Sequence, residues 1–302
     1  MIKKIFIYLT IYFISFSLHA KEQIDIQYDG IYLDGVTLSQ LETIYKDYNY
    51  RDYLYMKDWK YPPIFMVSLP TDFNTVTDSK KRNKLFLQMM VPLALKVNFE
   101  IMLERYDLEE IIKDFNEKHD LSAEQIKIIE EKAIKYDIFT RLQGERRYSL
   151  ILKQLKERID TVPPSILIAA AAIESDWGTN RPSQLANSLY RELVWYTDEG
   201  LEPLDEKEDK TYRYKIFNSL YDSMVSYALK INSGVNYQQF RTLRVLNRYR
   251  EVPLLGRNIA HSMYFDSNLQ NFAGILDYTI TFYELINIDE AELAPLELPQ
   301  DI

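Results

Sequence analysis

The feature that most constrains the fold of this chain is a purely apolar segment that follows two prolines, Pro163 and Pro164. Residues 165–174 read Ser-Ile-Leu-Ile-Ala-Ala-Ala-Ala-Ile-Glu, so a helix formed here is apolar on every face. A proline suits the first turn of such a helix, and Gly178 suits its end. We therefore expect a helix buried in the core, with one carboxyl group, that of Glu174, at its last position.

The composition excludes several kinds of protein and site. The 302 residues include no cysteine, which excludes disulfides and thiolate nucleophiles, and only three histidines, which predicts no metal site. A formal net charge of −9 disfavours nucleic-acid binding. The sequence has no Gly-rich phosphate-binding loop, so nothing in it predicts nucleotide binding. We expect no cofactor. The apolar share of 47% is that of a globular chain.

The N-terminus has the parts of a secretory signal. Lys3 and Lys4 precede an apolar run from Ile5 to Leu18, and Ala20 offers a small residue at a cleavage site. This run is shorter than the roughly 20 residues that a transmembrane helix needs, although an uncleaved anchor is the alternative. We expect an exported protein of the periplasm or cell envelope, which contacts the membrane only through an uncleaved signal segment, if at all.

Periodicity predicts a mainly helical α+β chain. Apolar residues at helical spacing predict an amphipathic helix over residues 86–101, bent at Pro92. Ser122 and Gln125 form a capping-box pattern for a helix that runs towards Ile138. Further helices are expected at about 149–159, 220–231, 237–249 and 268–286, and alternation predicts a strand at 211–217 within a small β insertion near 195–217.

Glu174 is the sharpest chemical feature. A carboxyl at the edge of an apolar core loses water, and a helix C-terminus carries partial negative charge, so both effects raise its expected pKa. A carboxylic acid protonated near neutral pH is what a glycosidase uses to protonate a leaving oxygen. Trp177, Tyr190 and Trp195 offer flat apolar faces for sugar rings. The alternative is that Glu174 only pairs with Arg181 or another base.

These segments carry a family resemblance. Residues 163–178, which end Glu-Ser-Asp-Trp-Gly, and residues 187–190, Asn-Ser-Leu-Tyr, resemble the glucosaminidase superfamily of peptidoglycan hydrolases. The pattern of that superfamily is an alanine-rich helix that ends Glu-Ser-Gly-Trp-Gly, followed by Asn-Asn-Leu-Phe-Gly. Residues 69–98 and 216–241 are similar to the Bax proteins of bacteria. Together the similarity covers roughly residues 62–245.

The resemblance implies a lysozyme-like α+β catalytic domain with a small β-hairpin insertion. It implies hydrolysis of the β-1,4 bond after N-acetylglucosamine in the glycan strands of peptidoglycan, with Glu174 as the general acid. The side chains that it places around the sugar are Trp177, Asn187, Tyr190, Trp195 and Tyr264. For Tyr264, which matches a tyrosine near the floor of the cleft, ordinary core packing is the alternative.

Four positions depart from the family pattern. Asp176 and Arg191 replace glycines, Ser188 replaces the second asparagine, and Phe272 stands where a second tyrosine is expected. Phe272 lacks the hydroxyl group, and the other three changes reshape the cleft.

Many glycosidases use two carboxyls, and the resemblance to the glucosaminidase superfamily implies that the second one lies in the β insertion. Its candidates are Glu199, Glu202, Asp205, Glu206 and Glu208. Glu202 has the best position relative to the strand, and Glu206 is the runner-up. The alternatives are that this acidic run is a solvated loop, or that the 2-acetamido group of the substrate replaces the second carboxyl.

We divide the chain into a signal peptide (1–20), a helical, Tyr-rich, Bax-like region (21–145), a glucosaminidase-like catalytic domain (146–288) and an acidic tail (289–302). The tail has five acids, no bases and two prolines, so we expect it to be frayed.

Two clusters have open roles. The aromatic residues of 45–61 either cradle glycan or pack the N-terminal region onto the catalytic domain. Arg241, Arg244 and Arg248 share one helical face, which either binds anionic groups such as stem-peptide carboxylates or is a solvated, ion-paired surface.

Two other functions remain open from the sequence. A lytic transglycosylase also carries a Glu-Ser pair on a buried helix and needs a single acid. A catalytically silent glycan-binding scaffold of the envelope would also fit the departures from the family pattern.

Overall fold

The fold was analysed in a computed structural model, which describes residues 30–197, 199–204, 211–263 and 271–296. The chain forms two compact units, and both are discontinuous in sequence. The first unit contains the described residues of 30–96, 174–223 and 290–296, and the second contains those of 97–173 and 224–289. The domains expected at 21–145 and 146–288 are continuous in sequence, and that division stays a prediction.

The described part of the chain is mainly helical. Its α-helices are α1 (Leu38–Asp47), α2 (Ser79–Lys118), α3 (Ala123–Lys135), α4 (Gly144–Arg158), α5 (Pro164–Glu174), α6 (Arg181–Ala186), α7 (Leu220–Ser233), α8 (Gln238–Tyr249), α9 (Gly256–Ile259) and α10 (Phe272–Phe282). The Ser122–Gln125 capping box is confirmed at the start of α3. The helix expected from about 149 begins earlier, at Gly144.

Six short strands pair two by two within the described ranges. They are β1 (Ile31–Leu33), β2 (Lys60–Tyr61), β3 (Ile64–Met66), β4 (Leu193–Trp195), β5 (Tyr212–Tyr214) and β6 (Glu292–Leu293). The pairs β1–β3 and β2–β6 are parallel, and β4–β5 is an antiparallel hairpin. A mainly helical α+β fold with a small hairpin insertion is thus confirmed, although the second hairpin strand covers only Tyr212–Tyr214 of the expected 211–217.

The long helix α2 differs from the amphipathic helix expected over 86–101. Residues 85–97 are buried on every side, and they include the polar side chains of Gln88 and Lys96. By length and hydropathy α2 could cross a membrane, but 78% of its apolar window is buried inside the protein, as in a core helix. The expected solvated face is therefore absent from this part of α2, because protein packs around the whole circumference.

Pro92 lies inside α2, and the helix continues through it. A proline has no N–H group, so it leaves without a partner the carbonyl four residues earlier, that of Gln88. The hydroxyl of Tyr50 donates to that carbonyl at 2.8 Å, and the Gln88 side chain donates back to the Tyr50 carbonyl at 3.1 Å. A buried tyrosine therefore satisfies the backbone group that the proline frees.

The aromatic block at 45–61 contributes much of the core of the first unit. Tyr45, Tyr50, Tyr53 and Tyr61 are each at most 4% exposed. The ring of Tyr50 meets those of Tyr45 and Tyr61 edge-on, with centroids 4.9 and 6.0 Å apart. Tyr55, by contrast, is 82% exposed. The four buried tyrosines thus pack in the core of the first unit. The two roles expected for the block, contact with glycan and packing of the N-terminal region onto the catalytic domain, stay predictions.

The arginine face of α8 is only in part the solvated, ion-paired surface that we gave as one alternative, because Arg248 is exposed and ion-paired whereas Arg241 and Arg244 are buried. Arg244 is fully buried and donates to the carbonyls of Asp160 and Thr161 at 3.0 and 2.9 Å. Arg248 pairs with the buried carboxylate of Asp160, with Nε and Oδ2 2.5 Å apart. Arg241 donates to the carbonyls at the end of α7. The reason is that helix ends present unpartnered carbonyls, which attract cations.

The acidic tail is not frayed over its described part, which corrects our expectation. The carboxylate of Asp289 accepts from the main-chain and side-chain groups of Ser165, both at 2.8 Å, and from the N–H of Gly256 at 2.7 Å. Strand β6 then pairs with β2. A carboxylate is favourable at a helix N-terminus, so Asp289 stabilises the first turn of α5. Residues 297–302 lie outside the described residues.

Candidate active site

Glu174 is the last residue of α5, as the sequence predicts. Residues 164–172 of this helix are buried, whereas Glu174 is half-buried. The carboxyl therefore stands where the apolar interior ends, at a helix end with partial negative charge. Both conditions disfavour a charged carboxylate, and the raised pKa expected for Glu174 stays a prediction with this physical basis.

The backbone turns sharply directly after Glu174. Asp176, Trp177 and Gly178 have φ values of 51°, 57° and 77°, so three consecutive residues adopt the left-handed conformation. A Cβ atom on Gly178 would lie 3.0 Å from the ring of Phe86 and 3.1 Å from that of Phe73. Glycine is thus required at 178 by both its backbone conformation and this close approach.

A set of short hydrogen bonds stabilises the turn. The buried hydroxyl of Ser175 accepts from the N–H of Gly178 at 2.8 Å. Asn180 donates from its side chain to the main-chain carbonyl of Glu174 at 2.7 Å, and its side-chain oxygen accepts from the N–H of Ser183 at 3.0 Å. Asn180 is the N-cap of α6, so one side chain connects the end of α5 to the start of α6.

Trp177 projects from this turn and is half-buried. Its ring meets the ring of Phe86 edge-on, at a centroid distance of 6.1 Å and an interplanar angle of 74°. Packing against α2 therefore orients the indole, while part of it stays exposed. A partly exposed aromatic face beside the acid suits contact with a sugar ring.

The β4–β5 hairpin carries an exposed aromatic surface. Trp195 lies opposite Tyr212 in the register, with ring centroids 5.6 Å apart, and the ring of Tyr214 follows at 6.3 Å from that of Tyr212. Trp195 is 55% exposed. The flat face that the sequence predicts for Trp195 is accessible here, and Tyr212 extends it.

Glu202 lies on the same hairpin and is ion-paired. Its Oε1 is 2.7 Å from Nη2 of Arg213, and its side chain is 70% exposed. The main-chain carbonyl of Glu202 accepts from the guanidinium of Arg181. Residue 181 directly follows Asn180, so a short chain of contacts links the hairpin to the end of α5. An exposed carboxylate in this place can act as a base or as an electrostatic stabiliser.

Two predicted sugar contacts have structural roles. Asn187 ends α6 in the left-handed conformation, and its amide donates to the carbonyls of Phe217 and Asn218 at 3.3 and 3.4 Å. Tyr190 is only 5% exposed, and burial raises its pKa well above the usual value. Its ring is therefore a core residue here instead of the open sugar platform that we expected, because the segment after α6 turns it inward.

The departures from the family pattern have a backbone explanation. Asp176 and Arg191 replace glycines, and both adopt the left-handed conformation, with φ of 51° and 50°. Only glycine visits this region without cost, so these two positions favour glycine for conformational reasons. Ser188 is fully buried, and its hydroxyl has no hydrogen-bond partner among the described residues.

The remaining candidates are placed as follows. Glu199 is exposed on the hairpin, and Phe272 is a core residue, 2% exposed, at the start of α10. Four candidates lie outside the described residues: Asp205, Glu206, Glu208 and Tyr264. Within the described ranges, no three His, Asp or Glu side chains converge in an arrangement suited to a metal ion.

Sequence reasoning missed most of the residues that position the site, and it named Arg181 only as a partner for the carboxyl of Glu174. Asn180, Arg181 and Arg213 connect the end of α5 to the hairpin, and Phe86 orients Trp177. One signal was available for Asn180. An asparagine two residues before a proline suits the N-cap of a helix, and a side chain in that place is close to the preceding turn.

Comparisons with known proteins bear on this region. Residues 151–275 match the glucosaminidase family model, described as mannosyl-glycoprotein endo-beta-N-acetylglucosaminidase. The match includes Glu174 and the β4–β5 hairpin, and it agrees with the lysozyme-like α+β fold that the sequence implies. Over 200 residues the chain is 26% identical to Protein bax of Escherichia coli strain K12, covering 65% of this chain and 67% of that protein. The catalytic domain of the autolysin Auto from Listeria monocytogenes aligns with a TM-score of 0.31 and 19% identity, over 56% of this chain and 99% of that domain.

Proposed function

We propose that this chain, which belongs to the Bax-like proteins of the glucosaminidase family, is an exported enzyme that cleaves the β-1,4 bond after N-acetylglucosamine in peptidoglycan. The match to the glucosaminidase family model supports the general function of a glycosidase-type hydrolase that acts on peptidoglycan. We propose in addition which bond is cleaved, that Glu174 is the acid and that the protein is exported.

One observation carries the proposal: Glu174 stands half-buried at the end of a buried apolar helix. In the proposed step, the protonated carboxyl of Glu174 gives its proton to the glycosidic oxygen as the bond from that oxygen to the sugar carbon breaks. Positive charge develops on the sugar ring whose anomeric carbon loses the glycosidic oxygen. Water then bonds to that carbon, and the proton that the water releases is accepted by a carboxylate of the site, Glu174 or Glu202. The contact from Asn180 to the carbonyl of Glu174 fixes the main chain beneath the acid.

The charge on the sugar needs a second group. Glu202 is an exposed carboxylate on the hairpin, and it forms an ion pair with Arg213. It can stabilise the oxocarbenium-like transition state or activate water. The alternative is the 2-acetamido group of the substrate itself, which would leave Glu202 a hairpin-stabilising residue.

The acid is tested by Glu174→Gln, which keeps the shape of the side chain and removes its proton. We expect a loss of at least about 100-fold in the digestion of purified sacculi, since general acids contribute roughly 10²–10⁴-fold. The matched control is Glu117→Gln, at an exposed position of α2, which keeps wild-type activity. An unchanged rate for Glu174→Gln refutes the assignment.

Mass spectrometry of the released fragments identifies the bond. Reducing N-acetylglucosamine ends support the proposal. Anhydro-muramic ends identify a lytic transglycosylase instead. Binding to sacculi without any released fragment identifies a scaffold.

Glu202 is tested by comparing Glu202→Gln with Arg213→Gln. Both variants break the same ion pair, so a purely structural role predicts similar losses from each. A direct role in the reaction predicts that Glu202→Gln costs at least tenfold more activity than Arg213→Gln. Equal losses favour the route through the substrate acetamido group.

Export rests on the segment 1–20, which lies outside the described residues. The family match suggests an envelope-associated protein. We expect the mature protein, isolated from the envelope fraction of a producing bacterium, to begin at Lys21. An intact N-terminus in the membrane fraction would identify an uncleaved anchor.

A further inference from the structure

A groove in the first unit lies outside the site described above. It has a volume of about 320 Å³ and lies between α1 and the first turns of α2. The aromatic side chains of Tyr45 and Tyr50 contribute to its lining. None of the residues that we place in the active site lines it.

The lining of this groove is strongly basic. It includes four bases, Lys46, Arg51, Lys81 and Lys84, and one acid, Glu42. The whole chain has the opposite balance, with 45 acids and 36 bases. Like charges that share one groove repel each other. The positive charge of the groove is also opposite in sign to the net charge of the whole chain.

The protein neutralises only part of this charge. Lys81 pairs with Glu42 at 2.9 Å, and Lys84 pairs with Asp52 at 2.5 Å. Lys46 and Arg51 are exposed and form no ion pair among the described residues. Lys46 lies in the last turn of α1, where a cation is favourable, but this accounts for one charge and not for the convergence of four.

A buried tyrosine also contributes to the lining of the groove. Tyr45 lines the groove and is 4% exposed, and its hydroxyl has no hydrogen-bond partner among the described residues. Burial raises the pKa of Tyr45, so the hydroxyl keeps its proton and adds no negative charge to the groove.

We propose that this groove binds an oxyanion, the carboxylate or phosphate group of a small ligand or of a polymer side group, through Lys46, Arg51 and the two neighbouring lysines. Guanidinium groups bind carboxylate and phosphate in a bidentate manner, and ammonium groups bind them as point charges. The site is independent of the proposed hydrolysis, because none of its residues takes part in that chemistry.

Binding is measured by isothermal titration calorimetry on the full chain, with two probes. Inorganic phosphate represents the phosphate source, and the peptide triglutamate represents the carboxylate source. We expect at least one probe to bind, and binding to weaken as salt rises to about 0.15 M, where the Debye length is ~8 Å. The probe that binds more tightly identifies the source.

The double variant Lys46→Gln, Arg51→Gln removes the two unpaired charges. Both side chains are exposed, so we expect an unchanged melting temperature and binding at least about tenfold weaker. The control is Lys57→Gln with Arg141→Gln, which removes the same two charges at exposed positions outside the groove. Binding of neither probe by the wild type, or equal weakening in both double variants, overturns the proposal.

Discussion

The side-chain amide of Asn180 donates to the main-chain carbonyl of Glu174 at 2.7 Å. The oxygen of the same amide accepts from the N–H of Ser183 and caps α6. One residue thus satisfies a carbonyl at the end of α5 and an N–H at the start of α6. The position of Glu174 depends on a contact six residues further along the chain.

Substituting Asn180 separates these two functions. Asn180→Asp keeps the capping oxygen but loses the donor, and places two oxygen atoms in contact. Because the cap is kept, we expect the stability to change little. We expect sacculus digestion to fall by about tenfold or more, because small displacements of the proposed general acid, Glu174, are costly. Asn180→Ala also loses the cap and lowers the stability by about 1 kcal/mol.

The matched control for Asn180 is Asn74→Asp, at an exposed position of the same unit. It should change neither activity nor melting temperature. Full activity in Asn180→Asp would show that the carbonyl contact does not position the acid.

The contact between Tyr50 and the carbonyl freed by Pro92 predicts a stability effect. Tyr50→Phe leaves the buried Gln88 carbonyl without its donor, so the free energy of unfolding should fall by about 1–3 kcal/mol. Urea unfolding measures this. Tyr48→Phe, at a half-buried position of the same block, is the control and should change the stability by less than about 0.5 kcal/mol.

Arg191 adopts a left-handed conformation where the glucosaminidase pattern that the sequence resembles has glycine. Arg191→Gly relieves a cost of about 1–2 kcal/mol, but the greater conformational freedom of glycine in the unfolded chain costs about 0.5–1 kcal/mol, so we expect a net gain of roughly 0–1.5 kcal/mol. Arg191→Ala removes the same side chain and keeps the strain, so it should give no gain. If alanine and glycine stabilise equally, the backbone explanation is wrong.

The environment of Asp160 predicts that the stability of the protein falls at low pH. Burial by itself raises the pKa of Asp160, but the hydrogen bond from Arg248 and the charges of the surrounding arginines outweigh it, so the pKa lies below its ordinary value. The unfolded chain therefore binds the proton at a higher pH than the folded one. The stabilisation is present above the unfolded value of about 3.9 and is lost as the pH falls through the folded value.

The corresponding variant is Asp160→Asn, followed by urea unfolding between neutral pH and about pH 2, a range that spans the ordinary carboxyl pKa. Near neutral pH the variant should be about 3–5 kcal/mol less stable, because it leaves buried arginines without their anion. The difference from the wild type should shrink below about pH 4. A difference that stays constant with pH would contradict an ionised Asp160.

The hairpin surface predicts an effect on binding. Trp195→Ala removes the exposed aromatic ring that packs beside Tyr212, so KM for glycan fragments should rise by roughly three- to tenfold while kcat changes less. Tyr55→Ala, at a residue 82% exposed outside the hairpin, is the control. A fall in kcat without a change in KM would point to a different role for Trp195.

The sequence by itself determined the features that depend on neighbouring residues. An unbroken apolar run after two prolines specifies a buried helix and places Glu174 at its end, because helix periodicity and proline geometry act within a few residues. The Ser122 capping box and the hairpin after α6 follow from local patterns in the same way. The acid at the centre of the proposal was therefore predictable.

Only the tertiary structure decided which distant groups satisfy each other. Asp289 stabilises the start of α5 from a segment that composition alone predicts to be frayed, 124 residues away. Arg244 is buried among carbonyls although its spacing suits a surface. Tyr190 turns inward while Trp195 stays exposed. The physical reason is that desolvation and hydrogen bonding depend on what surrounds a side chain in space, and the order of residues along the chain does not specify those surroundings.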